Sequence, residues 1–139
     1  MRDLHDNVKI SSAVDATRVG DNTAQAGNII DTQGFRSLEF AITATIADSD
    51  ATLTPLVEHG DNSALSDNSA VADADLLGTE AGATYAAGDD GVVKKIGYKG
   101  TKRYVRLTLT PGANSDNMDL AALAIQGNPE SAPQSDQAV

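Results

Sequence analysis

Apolar and polar residues alternate along much of this chain with a period of two. The alternation is cleanest from 38 to 46, where Leu38, Phe40, Ile42, Ala44 and Ile46 share one face and Glu39, Thr43 and Thr45 the other. Successive strand side chains point to opposite sides, so this row reads as a β-strand with one buried face. A second row, Val105, Leu107 and Leu109, alternates with Tyr104, Arg106, Thr108 and Thr110. A third and weaker row joins Ala121, Leu123 and Ile125. Shorter strands are predicted over Val8–Ser11, Ala26–Asp31, Leu53–Glu58 and Val92–Tyr98. Pro55 moves its strand toward a sheet edge, because proline cannot donate to the ladder.

Turn clusters rich in Asp, Asn, Ser and Gly separate these rows, at Ala47–Ala51, Gly60–Asn68, Gly88–Gly91 and Pro111–Asn117. Their spacing suits an antiparallel β-sandwich or jelly roll. No segment carries a convincing amphipathic helix; Ala64–Leu77 has room for a helical turn, but its Asp, Ser and Asn content favours loop. The expected fold is all-β: one antiparallel β-sandwich or jelly-roll-like domain with extended terminal arms. Residues 1–25 form an N-terminal arm and first strand, with Asp15–Gln25 as an extended stretch. Residues 26–127 form the sandwich, and 128–139 a flexible Pro/Ser/Gln tail that buries too little to offset its ordering entropy.

Composition changes this picture in two ways. The chain of 139 residues is one domain in size, but its 40% hydrophobic content includes many alanines, with 4% aromatics and no Trp. Such a core is thin at roughly 25 cal/mol per Å² of apolar area, which leads us to expect further burial between subunits. The formal charge of −10 disfavours nucleic acid and anionic membranes as partners. No run approaches the roughly 20 apolar residues of a membrane span. Without cysteine there is no disulfide framework and no thiolate chemistry. The charged start, Met1 to Asp6, lacks the apolar core of a signal peptide, so synthesis in the cytoplasm is expected.

Candidate chemistry is sparse. His59 lies beside Glu58 and Asp61, and His5 near the N-terminus; a strand-end histidine at a turn is commoner than a general base. No G-x-S-x-G or H-E-x-x-H motif is present. The acidic pairs Asp48/Asp50, Asp73/Asp75 and Asp89/Asp90 match no calcium loop and read as turn formers. The expectation is a non-enzyme with no cofactor and no metal.

One stretch stands apart. Lys94, Lys95, Lys99, Lys102, Arg103 and Arg106 are six of the ten positive charges, interleaved with Tyr98 and Tyr104. The plainer reading is a hairpin with outward Lys and Arg, which discourage edge-to-edge aggregation. The functional reading makes these eight residues a contact surface for an acidic partner or a neighbouring subunit.

Three stretches, DTQGFRSLEF (31–40), VADADLLGTE (71–80) and IGYKGTKRYVRL (96–107), resemble a family of small tailed-bacteriophage and prophage head proteins. The likeness runs from about Asp31 to Pro129. It implies a capsid decoration, or cement, protein on the virion exterior that clamps neighbouring major capsid subunits, often as a homotrimer. The major capsid protein and other copies of this chain are then the expected partners. Two other readings remain open: a carbohydrate- or receptor-binding sandwich of a head fibre or tail, and a neck or tail-completion protein.

Overall fold

A computed structural model describes residues 3–134; residues 1 and 2 and the last five of the expected tail lie outside it. Ten strands are described: β1 Val8–Val19, β2 Gln25–Asp31, β3 Phe35–Ile46, β4 Thr52–Gly60, β5 Ser69–Ala70, β6 Leu76–Leu77, β7 Tyr85–Ala86, β8 Val93–Tyr98, β9 Tyr104–Gly112 and β10 Met118–Pro129. They form two antiparallel sheets, sheet A in the order β1-β10-β3-β8-β6 and sheet B in the order β2-β9-β4-β5, with β7 also paired to β4. Apart from the two-residue β5 and β6, the orders are β1-β10-β3-β8 and β2-β9-β4-β7, and every step along the chain changes sheet except that from β4 to β7, which stay together in sheet B. That is jelly-roll connectivity.

The core lies between the inner faces. Leu38, Phe40, Ile42, Ala44 and Ile46 of β3 are all buried, as are Val105, Leu107 and Leu109 of β9. On β10 the expected parity is reversed: Met118, Leu120, Ala122, Ala124 and Gln126 point inward, while Leu123 faces out. Register explains it. Ala122 pairs with Ile42 and Ala124 with Phe40, so small residues lie beside large ones and the layer fills without overpacking. Gln126 is tolerated inside because its amide donates to the Asp31 carbonyl at 2.8 Å.

Three further features differ from the expectation. Asp15–Val19, assigned to an arm, continues β1 and pairs with β10 as far as Val19↔Met118. Two register shifts in β1 break its clean alternation, which is why the pattern beyond Ser11 is illegible. The start of the expected tail packs back, with the Glu130 and Gln134 amides donating to the Gly34 and Asp6 carbonyls. Pro55 lies in the middle of β4, but β5 pairs only with Glu58 and His59 and β7 only with Thr52 and Leu53. Backbone N–H groups two residues apart point the same way, and that of Val57 leaves the ladder for the Glu80 carboxylate at 2.8 Å. The missing donor of Pro55 therefore faces a gap between two short strands, where no ladder continues. The short helix α1, Glu80–Ala83, supplies Glu80 and is held by Thr79, whose hydroxyl accepts from the Gly82 amide.

Two tyrosines tie the sheets together. Tyr85, on the edge of sheet B, is fully buried; its hydroxyl lies 2.6 Å from both the Ile42 and Val92 carbonyls and accepts from the Lys94 amide at 3.0 Å. Tyr98, on sheet A, places its hydroxyl 3.0 Å from His59 Nδ1 on sheet B. Along the opposite seam, between β1 and β2, Asn28 donates to the Ser12 carbonyl. There Gly27 lies so close that a Cβ would overlap the carbonyl oxygens of Ala13 and Leu107. Both obstacles are backbone, so Gly27→Ala is expected to cost about 3 kcal/mol in urea unfolding. Gly20→Ala, with nothing within 4 Å of its new Cβ, should stay within about 0.5 kcal/mol of the parent. Equal effects would contradict this seam.

Candidate functional site

The basic stretch does not form a hairpin. β8 belongs to sheet A and β9 to sheet B, and residues 99–103 carry the chain across the end of the sandwich. The turn is built on Tyr98. Its ring lies against Gly100, where a Cβ would collide with it, and its hydroxyl accepts from the Lys102 amide at 2.9 Å. Burial raises the Tyr98 phenol above its ordinary value of 10.0, the Lys102 amide opposing and the charges of Asp75 and Asp61 adding to the rise.

This crossing disperses the eight candidate residues. Lys94 points inward: its ammonium sits 4.8 Å from the Tyr85 ring centre, donates to the Thr84 carbonyl at 2.6 Å and pairs with Asp89 at 2.8 Å. Tyr98 is buried. Lys102 pairs with Asp61. Arg103 makes a bidentate pair with Asp31, at 2.8 and 2.7 Å, and lies over the Tyr104 ring at 5.0 Å. Arg106 donates to Glu58 through Nε at 3.2 Å and Nη2 at 2.8 Å on the outer face of sheet B. Lys95 stands on the outer face of sheet A, and Lys99 is exposed at the crossing. Four of the six basic side chains thus have a carboxylate partner from elsewhere in the chain. The stretch is basic in sequence and largely neutralised in space.

The other polar candidates serve the fold. His59 meets Tyr98 edge to face, with ring centres 5.7 Å apart. Its neighbour Glu58 is engaged by Arg106 and Thr108, and Asn68 also donates to it. Asp48 accepts from the Ser115 amide and hydroxyl at 3.0 and 2.7 Å, and Asp67 accepts from the amides of Asp61 and Asn62. Asp90 accepts from the Ile46 amide. These carboxylates shape turns. Among the described residues no three His, Asp or Glu gather as a metal site.

A surface that the charge pattern does not announce lies on the outer face of sheet A. Cross-strand pairing puts Ile10, Ile125, Glu39, Gly97 and Leu77 in one row across the sheet. Ser12, Leu123, Ala41 and Lys95 form the next row, followed by Ala121, Thr43 and Val93. Ile10 and Leu123 are 47% exposed, Leu77 53% and Val93 65%. Burial raises the Glu39 carboxyl above its ordinary 4.5, with Lys95 pulling it back. A signal for this face was present in the run MDLAALAIQG, where both parities of β10 are apolar, as in strands covered on both sides. Weighing one row against the other conceals it.

No family model matches this chain, and no curated protein matches it. Among solved structures it is similar to the crystal structure of the PBSX exported protein XepA, with a TM-score of 0.59, 15% identity and coverage of 100% of this chain. The chain spans 43% of that protein's length. At this identity the likeness concerns the fold. Looser likenesses, both with a TM-score of 0.41, are to infectious bursal disease virus (Gt strain) and to the CBM22-1–GH10 modules of Clostridium thermocellum xylanase 10B. They are 12% and 13% identical and cover 91% and 95% of this chain, and 34% and 28% of those chains.

The Glu58 cluster gives a test of stability. Burial raises the Glu58 carboxyl, but its bonds from Arg106, Asn68 and Thr108 outweigh this and hold it below its ordinary 4.5. A carboxyl with a depressed folded value contributes fully above the unfolded value and loses its contribution as pH falls through the folded one. Glu58→Gln leaves the half-buried Arg106 without its anion and should cost about 2 kcal/mol at neutral pH by urea unfolding. The penalty should shrink toward about pH 3, where the parent carboxyl is protonated. A penalty independent of pH would show that charge is not what the cluster supplies.

Proposed function

We propose that this chain is a non-enzymatic structural protein of a phage particle, which decorates the outer shell and braces neighbouring major capsid subunits. The observation that carries the reading is a jelly roll aligned over its whole length with an exported protein of the prophage PBSX. The resemblance of residues 31–40, 71–80 and 96–107 to tailed-phage head proteins supports it from the sequence side. So does the disposition of polar groups. His59, Asp48, Asp89, Asp90 and four of the basic side chains are committed to turns, ion pairs and sheet contacts, and what the fold presents is surface.

The chemistry of such a role is adhesion. A decoration protein needs a rigid body, an outward surface that tolerates solvent, and contacts that become strong when several act together. The net charge of −10 suits an outer surface and would repel packaged DNA. Two interlocked sheets with tyrosine ties supply the rigidity.

A cryo-EM map of the particle encoded alongside this chain tests the proposal. Jelly-roll density on the outer shell is expected, and particles lacking the chain should release DNA at lower temperature than complete ones. Density confined to the neck or tail, or particles without this chain, would refute shell decoration.

A further inference from the structure

We propose that the outer face of sheet A is a docking surface for a second copy of this chain. The two faces meet about a two-fold axis, with Glu39 of each copy against Lys95 of the other.

The apolar content of the face comes first. Seven large hydrophobic residues are exposed among the described residues, and four of them, Ile10, Leu77, Val93 and Leu123, stand on this one sheet face. Ile125 lies between Ile10 and Glu39 in the same row, and Ala41 and Ala121 fill the floor. Scattered exposed hydrophobics are ordinary, but a contiguous set on one sheet face is the mark of a contact surface. β10 is apolar on both faces, as a strand covered on both sides would be.

Charge selects the occupant. Two copies with a formal charge of −10 each repel, so they approach best where neither presents its acidic excess. Along the strand rows of this face stand Glu39, Lys95 and, toward one end, the Arg18–Asp119 pair at 2.7 Å, while Arg36 and Lys99 border the other end beside Glu39, Leu77 and Ile125. No acidic excess gathers here, and Glu39 and Lys95 on adjacent rows give the face a self-complementary pair. A two-fold axis between them brings each Glu39 to the Lys95 of the other copy. If this face instead met a different surface of the next copy, it would bury carboxylates from the acidic remainder. Within one copy Glu39 is badly placed, beside Leu77 and over Gly97, where a Cβ would lie 2.8 Å from its Oε2. A lysine from across the interface would add a second counter-charge to that of its own Lys95.

Size sets the strength. A five-stranded sheet with about 4.8 Å between strands and about 3.3 Å per residue offers a face of roughly 20 by 25 Å, about 500 Å². Doubled, that is about 1,000 Å², at the lower end for specific interfaces, so a dimer in the micromolar range is expected. Face-to-face sheets pack about 10 Å apart, with their strands either within about 30° of alignment or near right angles. The contact is two-fold, unlike the homotrimer implied by the family resemblance, and it does not depend on the shell reading.

Sedimentation equilibrium of the purified full chain from about 1 to 200 µM tests it. A reversible monomer–dimer transition is expected. Leu123→Lys and Val93→Lys, exposed positions on different strands, should each weaken it at least about tenfold while leaving the unfolding transition of the monomer in place. Glu39→Lys alone should weaken the dimer, and Glu39→Lys combined with Lys95→Glu should restore it. A chain that stays monomeric throughout overturns the proposal and leaves the face to a partner other than itself. So does an assembly that both lysine substitutions spare, or a double exchange that fails to recover what the single one loses.

Discussion

Everything in this molecule depends on two sheets meeting over a thin core. With few aromatics and many alanines, the layers hold together only if large and small side chains interdigitate. β3 sets the pattern: Phe40 and Ile42 stand beside Ala124 and Ala122 of β10. From that one pairing follow the inward parity of β10, the outward position of Leu123 and the course of the neighbouring strands. Alanine buries little area, so part of the cohesion comes from directed bonds. Tyr85 reaches across to the β3 and β8 backbone, and Tyr98 reaches to His59. The close approach at Gly27 closes the opposite seam.

The charges follow the same logic of distance. In sequence the basic residues are neighbours; in space they are divided between sheets, and Lys102, Arg103 and Arg106 find acids brought by distant parts of the chain. Lys102 meets Asp61 across 41 positions, Arg106 meets Glu58 across 48, Arg103 meets Asp31 across 72, and Arg18 meets Asp119 across 101. These are mostly exposed pairs, and each contributes little to stability alone. Their effect on surface character is larger. They remove a basic patch and leave an acidic body on which the outer face of sheet A shows no acidic excess.

Much of the charge of this jelly roll, including four of the six clustered basic side chains, is committed to its own framework. This is why the functional reading rests on faces and edges. The apolar sheet face and the acidic remainder are physically distinct territories, suited to different neighbours. A division of the surface by polarity lets one small domain meet more than one kind of neighbour.

The sequence alone determined the fold class and the two strongest strands. A period of two is a local property: Leu38 to Ile46 and Val105 to Leu109 must each turn one face to a core wherever they end up. Turn chemistry likewise marked the ends of the strands, and Pro55 marked a break in one edge. The candidate site was legible only as a cluster of charge, and its partners were not legible, because each acid lies 41 or more positions from the Lys or Arg it meets, except Asp89 beside Lys94. Tertiary structure alone decided that β8 and β9 go to opposite sheets, since a turn of a few residues can close a hairpin or cross a sandwich with the same composition. It also decided which apolar row of β10 lies inside. Both rows are hydrophobic, and only the space left beside Phe40 and Ile42 distinguishes alanine from leucine.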